Sequence, residues 1–582
     1  MQTIQGIAAS PGVAIGEALI VDNEGFRIPR RFVPRDALDD EMRRLDNAIE
    51  SAAAEIARNR DTISQQLGEQ YGAIFSAHLQ MLRDSRLHEE LEQEIRQHHY
   101  SPEYVVSQTL RRYAEVFQNL DGSYLAERAH DIFDIERTLL SKLLGERREV
   151  LAHLTSPAVI LAKNLTPGET ANLDRRFVLG FATESGGASG HTAIVAKGLE
   201  IPAVVGIGAF LADVSGGESI IVDGDHGRII LDPNEPTLER YRHEVEQHRM
   251  LAVRLERELR DLPAITTDGV PISLQANIEF PWEVDVCLER NADGIGLYRT
   301  EFLYLGVDSE PTEVDHYDAY ARVIRAMDGR PVCIRTLDLG ADKLGQLPAD
   351  EEERNPFLGL RSVRLSLKNV PLFRIQLRAI LRASALGEVR VMFPLIGTLQ
   401  ELRQCKMVLA DAREDLEESD TEFDRTIAVG MMVEVPAAVV MLDRFLEEVD
   451  FISIGTNDLV QYALAVDRSN KEVADRYRAS DPAVLRLLQM SLSAARTADV
   501  SVSICGQMGG EPLYTMLLLG LGLHSLSVPP STIAEIKNIC RNVSISECEE
   551  VAERALAMDS AQEIETYLRE QLRRVAPELA WS

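Results

Sequence analysis

Eight short β-rich segments alternate with helical patterns in the second half of this 582-residue chain. The segments span residues 272–277, 294–299, 332–338, 389–395, 427–434, 451–457, 500–506 and 523–530. Eight βα units within about 300 residues are typical of a (β/α)8 TIM barrel. A doubly wound open sheet can use the same alternation, so the count alone leaves both folds open.

Polar residues stand at or just past the carboxyl ends of these predicted strands. They are Asn277, Arg299, Arg335, Glu434, Asn457, Asp458 and Cys505. The carboxyl ends of the strands form a single face of a TIM barrel, and active sites are built on that face. The position of these polar residues at the strand ends therefore favours the barrel and predicts one shared site.

The residue types at this face suit a small, highly anionic substrate. Arg299, Arg335 and Arg361 lie in similar contexts, and a planar guanidinium grips phosphate or carboxylate oxygens in pairs. Each arginine taken alone would more often be a structural ion-pair partner. Glu434 and Asp458 would suit Mg²⁺, which is typically held by one or two carboxylates together with substrate phosphate and water.

Three further residues are candidates for the same pocket. Asn457 and Arg468 lie close enough in sequence to complete it. Cys505 follows a predicted strand, where its thiol could supply a proton. Plain packing of a buried cysteine is the alternative interpretation.

A second candidate site lies in the glycine-rich stretch 184–206, with the sequence ESGGASGHTAIVAKGLEIPAVVG. His191 precedes a predicted helix over residues 192–199, where free N–H groups and the helix dipole favour an anion. A neutral imidazole is a competent nucleophile near neutral pH. The pattern fits a histidine that receives and passes on a phosphoryl group, but a loop histidine that caps a helix fits it equally well.

The predicted secondary structure changes twice in the first half of the chain, from strands to helices and back to strands. Residues 3–20 predict one or two strands that must join a sheet elsewhere, and residues 36–145 predict a small bundle of antiparallel helices. Within the bundle, the dense apolar run at 77–82 is either core or part of a docking surface. Four β-rich runs then predict a β/α domain that carries His191, with a hairpin near residues 223–227. They span residues 158–165, 177–184, 201–208 and 219–233.

Charge and cysteine content narrow the class of protein. The net charge of −32, from 61 basic and 93 acidic residues, argues against nucleic-acid binding and allows a basic protein partner, although solubility alone also explains it. The six cysteines show no metal-binding spacing, which indicates a reducing compartment. No signal peptide or long apolar span is evident, so we expect a cytoplasmic protein without membrane insertion.

Nine motifs together resemble one family over essentially the whole chain: enzyme I of the phosphoenolpyruvate-dependent sugar phosphotransferase system, also called phosphoenolpyruvate–protein phosphotransferase. They occur in the family's order and with roughly its spacing. The motifs are GIAASPGVAIG, LTPGETANLD, GHTAIVAKGLEIPAVVG, GIGLYRTEFL, IRTLDLGADK, NPFLGLRSVR, GMMVEVPAA, IGTNDLVQYALAVDR and ICGQMGG.

The resemblance implies a multidomain α/β protein with four regions, the last of which is a C-terminal (β/α)8 TIM barrel. The expected domains are a swivelling β/α phosphohistidine domain (1–21 plus 146–231), an inserted α-helical domain that binds the carrier protein HPr (22–145), a linker helix (232–262), and a barrel that binds phosphoenolpyruvate and forms a homodimer (263–582). A connector helix also follows from the charged pattern at 237–262.

The resemblance also implies a role for each candidate residue. His191 would be phosphorylated by phosphoenolpyruvate and would pass the group to HPr, with release of pyruvate, while Thr170 would orient it. The residues matching the phosphoenolpyruvate-binding positions are Arg299, Arg335, Arg361, Asn457 and Arg468. Glu434 and Asp458 match the Mg²⁺ ligands, and Cys505 matches the residue that would protonate the enolate.

The chain departs from the family pattern at several positions. Residues 188–190 read Ala-Ser-Gly where Arg-Thr-Ser is usual, Ala341 replaces a common glycine, Asp481 replaces His or Ser, and Arg83 interrupts an often acidic stretch. These departures leave open a regulatory phosphorelay or signalling protein with reduced turnover. Pyruvate phosphate dikinase and phosphoenolpyruvate synthase share the motifs, but they need an ATP-grasp domain for which about 110 preceding helical residues leave no room.

Overall fold

The structure is a computed structural model. It describes residues 1–21, 33–34, 38–67, 79, 81–118, 132, 135–136, 139–140, 142–143, 157–165, 176–186, 196, 201–211, 214, 217–304, 310–340, 355–468, 470 and 472–579. His191, Thr170, residues 188–190 and Ala341 lie outside them. The chain divides into two compact units. One contains Met1–Gly186 with Ile201–Asn234, and the other contains Glu235–Ser582.

The first unit contains an eight-stranded sheet. Its strands are β1 (Gln2–Gln5), β2 (Ile7–Ser10), β3 (Val13–Val21), β4 (Ala158–Ala162), β5 (Val178–Thr183), β6 (Ala203–Val205), β7 (Ser219–Asp223) and β8 (Arg228–Leu231), in the order β1-β8-β7-β3-β4-β5-β6-β2. β3 pairs antiparallel with β7 and parallel with β4, and β7 and β8 form the predicted hairpin. The N-terminal segment therefore joins the later strands, as predicted.

A helical cluster with its own core belongs to the same unit. Its described helices are Leu38–Leu67, Ser85–His98 and Pro102–Gln118. Leu45, Ile49 and Ile56 are buried at helical spacing, which confirms the predicted apolar face. Leu79 and Leu82 belong to the same core, so for these two residues the core interpretation of the run at 77–82 is correct.

The second unit contains a closed parallel barrel. Its strands are β9 (Ser273–Ile278), β10 (Ile295–Tyr298), β11 (Val332–Arg335), β12 (Val389–Phe393), β13 (Ala428–Val433), β14 (Phe451–Ile454), β15 (Ser501–Ile504) and β16 (Ser525–Val528). β16 closes on β9 in parallel register, from Ser525 opposite Ser273 to Val528 opposite Ala276. All eight predicted strands are present. Because β16 pairs with β9, the sheet is closed, and the fold is the TIM barrel rather than the open sheet.

Helices surround the barrel strands. They are Glu283–Glu289, Glu313–Ala326, Ser362–Lys368, Val370–Ser384, Leu399–Glu418, Pro436–Val440, Leu442–Phe445, Thr456–Leu464, Pro482–Ala498, Gln507–Gly510, Thr515–Gly520, Ile533–Arg541, Ile545–Leu556 and Ala561–Val575. Short 3-10 turns occur at Glu301–Tyr304, Pro356–Leu358, Ala474–Arg476, Pro512–Tyr514, Pro530–Thr532 and Pro577–Leu579. Within the described ranges, no helix is both long enough and apolar enough to span a bilayer.

The charged helix Glu235–Leu259 is more than the solvent-exposed connector that its composition suggests. Leu251, Leu255 and Leu259 recur every four residues and pack on the barrel core. Lys537 Nζ lies 3.3 Å from the carbonyl oxygen of Leu259 and donates to this end of the helix. The carboxyl end of the helix is therefore anchored to the barrel, because one apolar stripe suffices for packing.

A buried histidine of the helix Glu313–Ala326 lies between two tyrosines. His316 Nε2 is 3.1 Å from the hydroxyl of Tyr304, and His316 Nδ1 is 2.8 Å from the hydroxyl of Tyr320. Burial lowers the pKa of His316 to about 4. The neutral imidazole is therefore the form that the folded barrel stabilises.

We expect His316 to make the barrel less stable as the pH falls from about 6.5 to about 4, since the unfolded chain protonates this residue first. Over this pH range the free energy of unfolding should fall by roughly 3 kcal/mol. His316→Phe should remove this part of the pH dependence. Urea unfolding followed by tryptophan fluorescence reports on this region, because both tryptophans lie beyond residue 263. Identical pH slopes for the two proteins would contradict the assignment.

Candidate active site

The predicted polar residues gather at the carboxyl end of the barrel. Arg335 is the last residue of β11, while Arg299, Glu434 and Cys505 directly follow β10, β13 and β15. Asn457 and Asp458 occupy the first turn of the helix Thr456–Leu464, which follows β14. Arg361 is the N-cap residue of the helix Ser362–Lys368, and Arg468 follows the helix Thr456–Leu464.

Two of the arginines share one carboxylate. Arg335 Nη2 donates to Glu301 Oε1 at 3.0 Å, and Arg335 Nη1 lies 3.0 Å from Asp338 Oδ2. Arg361 Nη2 donates to the other oxygen, Asp338 Oδ1, at 2.8 Å. Burial would raise the pKa of Asp338, but the two guanidinium groups outweigh it and hold that pKa below its usual range. Asp338 therefore holds both forks in place as a charged group.

The ion-pair chain continues toward the two candidate metal ligands. Arg361 Nη1 lies 3.7 Å from Asp458 Oδ1, and that oxygen accepts no hydrogen bond from the described residues. Glu434 is buried, and its Oε1 accepts a hydrogen bond from the backbone N–H of Leu395 at 2.6 Å. Burial, followed by the charges of Asp458 and Asp338, raises the pKa of Glu434 to about 8. Glu434 and Asp458 thus form a crowded acidic pair.

The pair has the donor chemistry for a hard divalent cation. Asp458 Oδ1 is a buried oxygen to which no described residue donates a hydrogen bond, and an added cation would relieve the repulsion that raises the pKa of Glu434. Gly455 leaves room beside the pair, because a Cβ there would lie 2.7 Å from Glu434 Oε2. No group of three or more His, Cys, Asp or Glu in the described part of the chain is placed to hold a metal. Two protein carboxylates completed by substrate oxygens and water fit Mg²⁺.

Arg299 is held differently from the other two arginines. It forms an ion pair with Glu279, the residue that follows β9. Its side chain is 29% exposed, whereas those of Arg335 and Arg361 are 10% and 11% exposed. Arg299 is therefore the most accessible of the three guanidinium groups.

A tyrosine connects two of the remaining candidates. Tyr477 donates its hydroxyl to the backbone oxygen of Asn457 at 3.0 Å and also hydrogen-bonds the side chain of Arg468. Asn457 Oδ1 accepts from the backbone N–H of Gln507 at 2.8 Å, which leaves its amide NH2 to donate. Asn457 and Arg468 therefore belong to one hydrogen-bonded group.

Cys505 is buried at the barrel end, with its Sγ 3.7 Å from the carbonyl oxygen of Ile454. Burial raises the pKa of Cys505 to about 11, so the thiol keeps its proton near neutral pH. A protonated thiol at this position can act as an acid but is a poor nucleophile.

The sequence interpretation missed the acidic partners of the arginines. Glu301 and Asp338 each lie two or three residues after a strand-terminal arginine, and this proximity is the signal that could have identified them. Glu279 gave no such signal, since 20 residues separate it from Arg299. Tyr477 also gave none.

Two polar residues named from the sequence have structural contacts instead. The amide of Asn277 donates to the backbone oxygens of Cys505 and Ser527, so it braces the barrel closure. Asp481 is the N-cap of the helix Pro482–Ala498 and accepts from the N–H of Ala483 at 2.9 Å. A helix cap accounts physically for the aspartate at that position.

Comparison with known proteins defines the class. Profiles of phosphoenolpyruvate (PEP)-utilising enzymes match residues 5–128 (N-terminal), 154–227 (mobile domain) and 253–545 (PEP-binding domain). The barrel with its arginine-rich end thus lies in the PEP-binding part of a PEP-utilising enzyme.

Curated relatives identify the family within that class. Phosphoenolpyruvate-protein phosphotransferase of Geobacillus stearothermophilus is 40% identical over 98% of this chain and 98% of its own length. The proteins of the same name from Priestia megaterium and Bacillus subtilis are each 38% identical, over 97% and 98% of this chain and 98% and 100% of their own lengths. The chain belongs to the phosphoenolpyruvate-protein phosphotransferase family.

We expect Asp338→Asn to lower the free energy of unfolding of the barrel by about 3 kcal/mol, because two buried guanidinium groups lose their shared charge. The control is Asp415→Asn, which removes a more exposed partner of Arg374 and should cost about 1 kcal/mol or less. Chemical denaturation with fluorescence detection measures both. Equal losses in the two variants would show that Asp338 is an ordinary surface partner.

Proposed function

We propose that the chain transfers the phosphoryl group of phosphoenolpyruvate to its own His191 and then to a histidine of an HPr-type carrier protein, with release of pyruvate. Relatives named phosphoenolpyruvate-protein phosphotransferase match nearly the full length of the chain. The observation that carries the proposal is the arginine cluster at the barrel end, in which Asp338 holds Arg335 and Arg361 side by side.

The substrate requires several cationic groups, because phosphoenolpyruvate carries both a carboxylate and a phosphate. Five residues would grip it: Arg299, Arg335, Arg361, Asn457 and Arg468. Each guanidinium has five donors in a planar fork, so pairing with protein carboxylates leaves N–H groups for substrate oxygens. The carboxylates would thus hold the arginines ready before substrate arrives, which lowers the cost of ordering them on binding.

Mg²⁺ is the cofactor that we propose, held by Glu434 and Asp458. Among the described residues assigned above to this end of the barrel, carboxyl groups outnumber guanidinium groups, five to four. The carboxyl groups are Glu279, Glu301, Asp338, Glu434 and Asp458, and the guanidinium groups are Arg299, Arg335, Arg361 and Arg468. When bound, Mg²⁺ would offset phosphate charge during a loose phosphoryl transfer. The surplus of acid supports a cation at this place.

The residues of the chain would then divide the remaining work. Arginine forks bind and orient the substrate, and most of the catalysis is positioning and electrostatic stabilisation. His191 accepts the phosphoryl group, oriented by Thr170. The P–O bond of the substrate breaks as the N–P bond forms, and the enolate takes a proton at its methylene carbon from the thiol of Cys505 to give pyruvate. Solvent returns the proton to the thiolate.

The proposal extends to partners and location. The helical region 22–145 would bind the carrier protein, and the net charge of −32 suits a basic surface on that partner. The phosphohistidine domain (1–21 plus 146–231) would swivel between the barrel and the carrier about the linker 232–262. The barrel region 263–582 would form a homodimer, and the protein would act in the cytoplasm.

We expect phosphoenolpyruvate labelled in its phosphate to transfer label to the protein in the presence of Mg²⁺, with release of pyruvate. The bond should be acid-labile and base-stable, as a phosphohistidine is. His191→Ala should abolish labelling, and added HPr should remove the label from the wild-type protein. Gel autoradiography and a lactate dehydrogenase-coupled pyruvate assay measure the two products.

Absence of label on the wild-type protein would overturn the proposal. It would instead favour a regulatory protein of the same family, in which Ala188, Ser189 and Gly190 have altered the loop before His191.

We expect Cys505→Ala to slow pyruvate release about 100-fold or more, the usual range for loss of a positioned acid, while the affinity for phosphoenolpyruvate changes little. Cys333→Ala is the matched control, because Cys333 is also buried in the cluster inside the barrel. Single-turnover pyruvate formation and substrate titration separate the two effects. If both alanine variants slow release equally, packing rather than proton transfer explains Cys505.

A further inference from the structure

Arg299 relies on a single carboxylate for its position. Among the described residues, Arg335 and Arg361 each pair with two carboxylates, whereas Arg299 pairs with Glu279 alone. A long, partly exposed arginine loses considerable rotamer freedom when it is fixed. The geometry of Arg299 therefore depends on Glu279 more than either of the other arginines depends on one partner.

The barrel register places these two residues side by side. β9 and β10 are parallel neighbours in which Tyr298 lies opposite Ile278. The backbone N–H of Arg299 donates to the carbonyl oxygen of Ile278 at 3.0 Å. Glu279 and Arg299 directly follow these paired residues at the ends of β9 and β10, so their side chains lie next to each other at the carboxyl end of the barrel.

A second glutamate fixes the backbone that carries Glu279. Glu283 Oε2 accepts hydrogen bonds from the N–H groups of Glu279 at 2.7 Å and Phe280 at 2.6 Å. Glu283 lies in the first turn of the helix Glu283–Glu289, so its side chain folds back on the loop that enters the helix. Such a contact satisfies two N–H groups and removes freedom from the loop.

Aromatic packing adds to this bracing. The rings of Phe280 and Trp282 stack with centroids 4.2 Å apart and an interplanar angle of 12°. Phe280 also contacts Phe302, with centroids 5.7 Å apart. Glu279 thus projects from a loop that is held by hydrogen bonds on one side and by ring packing on the other.

The surroundings of Glu283 favour its neutral form. Burial, followed by the charge of Glu279, raises the pKa of Glu283 to about 8. The brace is therefore largely neutral near pH 7, while Glu279 faces the guanidinium group of Arg299.

We propose that Glu279, held by Glu283, is a positioning residue that aims Arg299 at the anionic substrate. The inference rests on the proposed function, in which Arg299 grips phosphoenolpyruvate. Glu279 Oε1 engages Nη1 of Arg299 and leaves the other N–H groups of the fork for substrate oxygens. Glu279 acts through Arg299 and does not itself touch the reacting atoms.

The test measures phosphoenolpyruvate binding apart from phosphoryl transfer. Isothermal titration of phosphoenolpyruvate with Mg²⁺ is carried out on full-length His191→Ala protein, with and without Glu279→Ala. We expect Glu279→Ala to raise the Kd about tenfold, and Glu279→Gln, which keeps an acceptor of similar shape, to raise it less. In otherwise wild-type protein, Glu279→Ala should raise KM about tenfold while kcat stays within about threefold.

A double-mutant cycle identifies the route of the effect. In the Arg299→Ala background, Glu279→Ala should change the Kd by less than about twofold, because the residue through which it acts is gone. Asp415→Asn, which breaks an arginine pair on the outer helices, should leave the Kd unchanged. Glu279→Gln covers the case in which the alanine variant fails to fold.

Three outcomes would overturn the proposal. An unchanged Kd would make the pair merely structural, and tighter binding would make Glu279 a competitor of the substrate for Arg299. Equal weakening with and without Arg299 would show that Glu279 acts by another route. Failure of the proposed function would show separately, as wild-type protein that phosphoenolpyruvate does not label.

Discussion

Burying arginine at the end of a barrel requires an opposite charge at hydrogen-bond distance. Arg335 and Arg361 are about nine-tenths buried, and such groups cost several kcal/mol when they are left unpaired. Asp338 meets this requirement for both through its two oxygens. The site can therefore present guanidinium groups in a fixed array. Each further buried carboxylate in turn requires a compensating positive charge.

The surplus of acid links the arginines to the rest of the chemistry. Glu434 lies near Asp458 and Asp338, and the resulting repulsion adds to burial in raising its pKa. A divalent cation or a proton can relieve that repulsion, and a phosphorylated substrate supplies further oxygens for a cation. Burial also keeps the Cys505 thiol protonated. Burial therefore acts on both groups but leaves them with different parts in the proposed reaction.

The barrel wall holds the array through neutral hydrogen bonds as well. Gln376 accepts from the N–H of Leu337 at 3.0 Å and donates to the hydroxyl of Thr300 at 3.0 Å. Thr300 in turn donates to the carbonyl oxygen of Arg335 at 3.1 Å. This buried network joins the ends of β10 and β11 to the surrounding helices. Positions that gave no chemical signal in the sequence thus support those that did.

The local sequence alone determined the alternation of strands and helices, since hydrophobic periodicity and turn residues are local properties. It also indicated which residues carry the chemistry at the barrel end, because polar groups at strand ends stand out against apolar strands. The joining of the N-terminal strands to the later sheet followed from their shortness. Nine ordered motifs pointed to the family.

Tertiary structure alone decided which carboxylate holds which arginine. The pairing of Glu279 with Arg299 follows from neighbouring strands of the closed barrel, and the pairing of Asp338 with Arg361 accompanies an antiparallel bridge between Gly340 and Arg361. Strand closure likewise used Asn277 as a brace. The apolar stripe of the charged helix Glu235–Leu259 became meaningful only against the barrel surface. These contacts join residues distant in sequence, and their energies depend on burial, which a linear pattern does not specify.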